Sequence, residues 1–224
     1  MHQQKKEIQK NGYTNFLTYK ADVSSEKEIA ALFSFVKKKF GSLNYLVNNA
    51  GIDSFCNPEE FSLSKYNHVM AVNVTSVFMA VKKAIPLMKI TREASIVNVG
   101  SIHGKITTSG RSDYVTSKTA LIGVTRSLSL DLASDKIRVN MVSPGAIDTP
   151  MLIRGWKKKA PEIDISEIRS KADLLHPSGR IGKPEDISNV ILFLLSNKSS
   201  FINGINILAD GGIHAKVMLS NIWE

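Results

Sequence analysis

A single cysteine, Cys56, among 224 residues excludes an intrachain disulfide and any zinc site built from several thiolates; no metal site is expected. Aromatic residues make up only 7% of the chain, and arginine is scarce. Of 29 basic residues 22 are lysine, and with 20 acidic residues the net charge is +9. A surface that follows phosphates brings arginine and stacking aromatics together. The lysine triplets at 37–39 and 157–159 have no aromatic ladder beside them. The charge therefore reads as a solvated surface, and nucleic acid is not an expected partner. No uninterrupted apolar run approaches the ~20 residues that cross a bilayer. The opening Met1-His2-Gln3-Gln4-Lys5-Lys6-Glu7 lacks the apolar centre of a secretory signal. No membrane partner is expected, and the composition points to the cytoplasm. The 14 glycines and seven prolines are scattered, which excludes a linker-dominated chain. What remains is one globular domain over residues 1–224, long enough to bury a full core.

Short apolar runs recur at Phe16–Ala21, Leu43–Asn48, Ser95–Val99, Ile137–Val142 and Ile205–Ala209. Each ends in small or turn-forming residues, as buried strands do. Longer stretches of helical period lie between them. Ser24-Ser25-Glu26-Lys27-Glu28 reads as a capping box that opens a helix to Phe40, with Gly41 as its stop. Leu63–Met88 is long enough for one long helix. In Ser112–Ala133, Leu121, Val124, Leu128 and Leu132 form one apolar stripe. Pro184 opens a helix through Ile187 to Leu195. Strands alternating with helices predict an α/β fold, a doubly wound, Rossmann-like parallel sheet covered on both faces. Ligands bind beyond the carboxyl ends of such strands. That places Asp22, Asn48–Gly51, Gly100-Ser101, Ser143–Gly145 and Asp210–Gly212 at the expected cleft.

Tyr114 and Lys118 are four residues apart, so on a helix phenol and ammonium share a face. A nearby cation favours phenolate and makes a tyrosine a usable general acid or base. With five tyrosines and 22 lysines this spacing arises readily by chance, and it gains meaning only from its neighbours. Ser101, 13 residues earlier, stands just past a strand, where a hydroxyl can bond a substrate oxygen and stabilise developing alkoxide. Asn73 lies amid apolar residues in a helix that asparagine does not favour. Its amide either serves the site or is satisfied by neighbouring backbone. Asn48-Asn49-Ala50-Gly51 and Pro144-Gly145 with Asp148-Thr149-Pro150 supply small and polar residues after two further strands.

Taken together, in order and spacing from about Gln3 to His214, these residues resemble the short-chain dehydrogenase/reductase family of NAD- or NADP-dependent oxidoreductases. The resemblance implies a hydride passed between nicotinamide and a secondary alcohol or ketone of the sugar, polyol, cyclic alcohol or 3-oxoacyl type. Tyr114 would donate or accept the proton, and Lys118 would lower the tyrosine pKa and hold the nicotinamide ribose. Ser101 would position the substrate oxygen, and Asn73 a relay water. Asp22 and Val23 would border the adenine; Asn49, Ala50 and Gly51 the adenosine side; Pro144, Gly145 and Thr149 the nicotinamide. Residues 151–178 would form the variable substrate lid. The family also implies a homo-oligomer, dimer or tetramer, with the helices Leu63–Met88 and Ser112–Ala133 crossing its axes.

The start of the chain departs from this pattern. The family opens with a strand, a glycine-rich phosphate loop, a helix and a second strand whose end selects NAD or NADP, and no such unit precedes Phe16. Gln3–Lys10, with Asn11-Gly12 as its stop, resembles only the helix that comes next. An N-terminally incomplete domain with a weakened cofactor site is therefore expected. A catalytically silent module for assembly or regulation is the alternative reading. The family's strand order puts two strands between Phe16–Ala21 and Leu43–Asn48, so these runs either pair directly or leave a sheet edge open. Gly100 stands where many relatives carry a second serine. Arg111, Asp113 and His103 belong to the cleft mouth, with His103 expected as an exposed loop residue. Cys56, without a basic neighbour, is expected to be inert.

Overall fold

The structure, a computed structural model, describes residues 12, 14–55, 57–91 and 93–216. The expected Gln3–Lys10 helix and Cys56 lie outside the described residues. Four strands, β1 (Tyr45–Asn48), β2 (Ala94–Val99), β3 (Ile137–Pro144) and β4 (Asn206–Ala209), form an all-parallel sheet in that spatial order. Leu46 lies opposite Ile96, Ile96 opposite Val139, and Val142 opposite Ile207. The helices are α1 (Glu26–Phe40), α2 (Leu63–Met70), α3 (Ser76–Met88), α4 (Ser112–Asp131), α5 (Pro150–Lys159), α6 (Ile165–Leu175) and α7 (Pro184–Leu195).

Strand alternation divides the interior into two layers. Ile96, Ile137, Val139 and Met141 meet Ile29 and Phe33 of α1, Val81 and Ala84 of α3, and Leu121 and Val124 of α4. On the other face Val97 and Val142 meet Ile187 and Leu194 of α7. Helices thus cover both sides of the sheet, as its apolar strands require. The stripe expected on α4 is buried at Leu121, Val124 and Leu132, with Leu128 packed beside it.

Helix ends follow local chemistry. Ser25 caps α1 by accepting the Glu28 N–H at 3.3 Å, and Glu28 reaches back to accept the Asp22 N–H at 2.7 Å. Pro184 opens α7, where the Asp186 carboxylate accepts the Lys183 N–H. At the far end of α7 the Arg138 guanidinium donates to the carbonyls of Leu194, Leu195 and Ser196. It supplies the donors that a helix C-terminus otherwise lacks.

Two expectations are corrected. Leu63–Met88 is not one uninterrupted α-helix, because α2 and α3 are joined by a π-helical turn, Ala71–Thr75, centred on Asn73. By length and composition this run could cross a membrane. Half of its most apolar stretch is nevertheless buried inside the protein, where it forms the core layer against α1 and α4. The second correction concerns Phe16–Ala21, which forms no strand. An extended segment becomes a strand only beside a partner, and no described residue pairs with it or with the outer edge of β1. Leu17 and Tyr19 are 55% and 40% exposed, and Tyr45 and Val47 on β1 are exposed as well. Among the described residues, then, the two runs do not pair directly and the outer edge of β1 has no partner.

Candidate active site

β2 ends at Val99, and Gly100 and Ser101 carry the chain off the sheet into a short 3-10 turn, Ile102–Gly104. The Ser101 hydroxyl caps that turn by accepting the His103 N–H at 3.2 Å. A Cβ at Gly100 would fall 1.9 Å from the Met141 methyl. The methionine therefore fills the space that a second serine would take.

α4 begins two residues before Tyr114, so the phenol stands in its first turn and Lys118 one turn further on. Both are buried, at 9% and 5% exposure. The Ser101 hydroxyl lies beside the Tyr114 phenol and acts to lower its pKa. Lys118 Nζ lies 5.7 Å from the Tyr114 ring centre and donates to the Val99 carbonyl at 3.1 Å. The three groups that the sequence linked across 18 residues therefore meet at one strand end.

Asn73 joins them through the π turn. Its Oδ1 accepts the Ile52 N–H at 2.8 Å; its Nδ2 donates to the Ile52 carbonyl and to Ser117 Oγ, each at 3.0 Å. Ser117 in turn donates to the Tyr114 carbonyl at 2.7 Å. The side-chain amide is thus satisfied, largely by backbone, and it fastens the loop after β1 to α4. A Cβ at Gly51 would lie 3.4 Å from both Asn73 Oδ1 and Lys118 Nζ, so glycine brings this loop close to the lysine. π turns leave main-chain groups out of the regular helical ladder and concentrate at functional sites.

The charges differ from expectation in one respect. Tyr114 is not driven toward phenolate: burial pushes its pKa up, outweighing the Ser101 hydroxyl and the Arg111 charge, which lower it. Removing a phenolate from water costs more than one hydroxyl and a distant cation return. The neighbouring ammonium is itself weakened, because burial brings the Lys118 pKa down to about 8.

His103 is also corrected. It is half-buried, its ring stands edge-on to Tyr114 with centres 5.9 Å apart, and its Nδ1 is buried without a hydrogen-bond partner. Burial, then the Arg111 charge, lowers its pKa and keeps it neutral.

Sequence reasoning missed Asp53, Ser54 and Ser117. Arg111 donates to Asp53 at 2.6 Å, and Ser54 donates to Asp113, whose other oxygen accepts the Tyr114 N–H at 2.8 Å. Two ties therefore hold the loop after β1 to the first turn of α4. The only sequence signal for them was an acidic residue at a helix start, which by itself marks a cap.

The remaining expected residues divide by place. Pro144 ends β3 opposite Ala209. Gly145 follows, and a Cβ there would come within 2.8 Å of Asp210 Cβ, so only glycine lets these two chain turns touch. The Thr149 hydroxyl caps α5 by accepting the Leu152 N–H. Asn49 and Ala50 are exposed beyond β1. Asp22 bonds Ser24 locally, and Val23 packs on the core beside α1.

A nicotinamide nucleotide fits this site at its ribose end. Lys118 has three N–H donors and uses one on a protein acceptor, leaving two for a diol in a buried position. At the diphosphate end no strand of the described sheet leads through a glycine-rich turn into an α-helix N-terminus. An open groove of about 1270 Å³ lies at the opposite end of the strands, near Glu93, Lys136 and Asn203, away from this chemistry.

Comparison with known proteins places the fold in a family. Residues 1–214 match a family profile described as enoyl-(acyl carrier protein) reductase. The chain is 37% identical to the 3-oxoacyl-[acyl-carrier-protein] reductase FabG of Thermotoga maritima, over 87% of this chain and 76% of that protein. It is 35% identical to the inactive 2-(S)-hydroxypropyl-CoM dehydrogenase 2 of Xanthobacter autotrophicus, over 87% and 84%. The ligand-free aldohexose dehydrogenase of Thermoplasma acidophilum superposes with a TM-score of 0.89 at 35% identity, over 96% of this chain and 84% of that one. The chain belongs to the short-chain dehydrogenase/reductase family, a family of Rossmann-type oxidoreductases.

Proposed function

We propose that this chain is an NAD(P)-dependent oxidoreductase acting between a secondary alcohol and its ketone, with Tyr114 as general acid and base. The observation that carries this reading is the burial of Ser101, Tyr114 and Lys118 together, with the Ser101 hydroxyl acting on the phenol and Lys118 beside the ring. A phenol that burial keeps protonated is poised to give its proton to a carbonyl oxygen, and Ser101 is placed to hold that oxygen. In the reverse direction the phenol must ionise, and the Lys118 charge favours that state. Lys118 would hold the nicotinamide ribose through its two unused N–H groups, with Pro144, Gly145 and Thr149 beside the nicotinamide. Asn49, Ala50 and Gly51 would border the adenosine, and Asp22 and Val23 the adenine. Asn73 would act through the main chain of its π turn, where a relay water finds an acceptor. When bound, the nucleotide supplies or takes the hydride, and its oxidised ring adds a positive charge that favours phenolate.

Residues 151–178, folded as α5 and α6, would close over a substrate of the aldohexose, cyclic ketone or 3-oxoacyl kind. A homo-oligomer in the cytoplasm completes the reading. A catalytically silent module is the second reading. It is supported by the likeness to a dehydrogenase that is itself inactive. Titration with NADH and with NADPH, followed by nicotinamide fluorescence, separates the two. Saturable binding by either nucleotide supports the oxidoreductase, and binding by neither rejects it for this chain.

A further inference from the structure

The mouth of the cleft gathers more positive charge than the chemistry at Tyr114 uses. The Arg111 guanidinium lies 4.2 Å from the centre of the Phe55 ring. The ammonium groups of Lys158 and Lys159, from the last turn of α5, lie 5.3 and 5.4 Å from the same centre. The ring accounts for part of this gathering, since its faces attract cations. It does not account for three, which repel one another around a single side chain.

Two carboxylates stand near them, and both are engaged. Asp53 accepts from Arg111, with side chains only 18% and 16% exposed. Asp113 accepts from Ser54 and the Tyr114 N–H. The two lysines therefore have no carboxylate partner among the described residues. Of the five N–H donors of Arg111 only one bonds a protein acceptor, and its Nε is buried without any. This guanidinium is 5.8 Å from the Tyr114 ring centre, and His103, with its buried and unpartnered Nδ1, flanks the same ring.

We propose that Arg111, Lys158 and Lys159 form a subsite for a carboxylate carried by the substrate, so that the preferred substrate is a short oxo acid or the matching hydroxy acid. This subsite names the substrate class of the oxidoreductase proposed above and rests on that reading for its carbonyl end. The guanidinium fork suits a planar carboxylate. Its distance from Tyr114 sets the charged group only a few bonds from the reacting carbon. Lys158 and Lys159 belong to the segment that would cover the substrate. An anion would therefore draw α5 onto Phe55, where a Cβ at Gly155 would already meet the ring at 3.6 Å. Neutral ketones would gain none of this.

The test compares acetoacetate with methyl acetoacetate, which present the same ketone and differ by one charge. It uses the complete chain with NADH and NADPH. Acetoacetate is expected to have the higher kcat/KM, with an advantage that shrinks as salt is raised. K158Q/K159Q should cut the ratio of the two kcat/KM values by about three- to tenfold, the range expected of exposed charges. K157Q, which alters the neighbouring lysine without a ring contact, should leave the ratio alone. A second readout needs no turnover. Acetoacetate, and not its ester, should slow acetylation of Lys158 and Lys159 by an N-hydroxysuccinimide ester, followed by mass spectrometry. Equal reduction of both ketones without protection overturns the subsite and leaves the oxidoreductase standing. Protection without reduction of either ketone keeps the anion site and overturns the reading of its carbonyl end. Neither reduction nor protection overturns both.

Discussion

The end of the sheet where β2 passes toward α4 and the side of the sheet beyond β1 are built to different standards. At the first, Ser101, Tyr114, Lys118, Asn73 and Ser117 are buried and tied to one another or to backbone. At the second, residues 14–22 have no strand partner among the described residues, Asp22 bonds Ser24 and Glu28 close by in sequence, and no described strand pairs with the outer edge of β1. Both regions carry residues that the family resemblance assigns to one site. The difference teaches that the Ser101, Tyr114 and Lys118 end is fixed by side-chain bonds within residues 51–118. Residues 14–22 are held by local bonds and by packing on α1.

Tyr114→Phe sharpens this contrast most. It removes the hydroxyl that Ser101 meets and leaves the ring in its pocket. Turnover should fall by about 10²–10⁴-fold, the range of a lost general acid, with the urea midpoint almost unchanged. A variant retaining full kcat would remove Tyr114 from the chemistry.

Asn73→Ala comes next and acts on stability. It leaves the Ile52 N–H and carbonyl without partners and deprives Ser117 of a donor. Unpaired buried groups each cost about 1–3 kcal/mol, so a loss of about 2–4 kcal/mol is expected in urea denaturation. A loss below about 0.5 kcal/mol would mean that this network does not hold the loop to α4.

Much of this arrangement was legible in the sequence. Capping residues announced α1, Pro184 announced α7, and period-four leucines announced the buried face of α4. Spacing and order brought Ser101, Tyr114 and Lys118 to one strand end. Three features were hidden for physical reasons. The π turn at Ala71–Thr75 has the same apolar pattern as the helix it interrupts, so periodicity cannot show it. The direction of the Tyr114 pKa depends on burial depth, which residue spacing does not contain. Phe16–Ala21 has the composition of a strand, but pairing belongs to the sheet and not to the segment.

Lys118→Met should raise stability while ending turnover. The buried ammonium titrates at about 8 in the fold against 10.5 for an ordinary lysine. Between these values the unfolded chain binds more protons, so stability of the parent protein rises with pH across that window. Below pH 8 the full penalty is present, about 3 kcal/mol from the size of the shift. At pH 7 the variant should therefore melt higher than the parent, by an amount that the lost bond to Val99 reduces. The gain should fade as pH climbs from 8 toward 10.5. A difference in Tm that is flat with pH would show that Lys118 is not held against its charge.

The smallest effect belongs to the exposed side. The Tyr19 ring meets Phe35 of α1 at 5.1 Å between centres, tilted by 39°, yet 40% of the residue remains in water. Half-exposed aromatic pairs contribute on the order of 0.5–1.5 kcal/mol. Tyr19→Ala should therefore cost about 1 kcal/mol or less in urea denaturation, well under the cost of Asn73→Ala. The comparison breaks if the order reverses. A larger loss at Tyr19 would mean that residues 14–22 are held to α1 as firmly as the loop after β1 is held to α4.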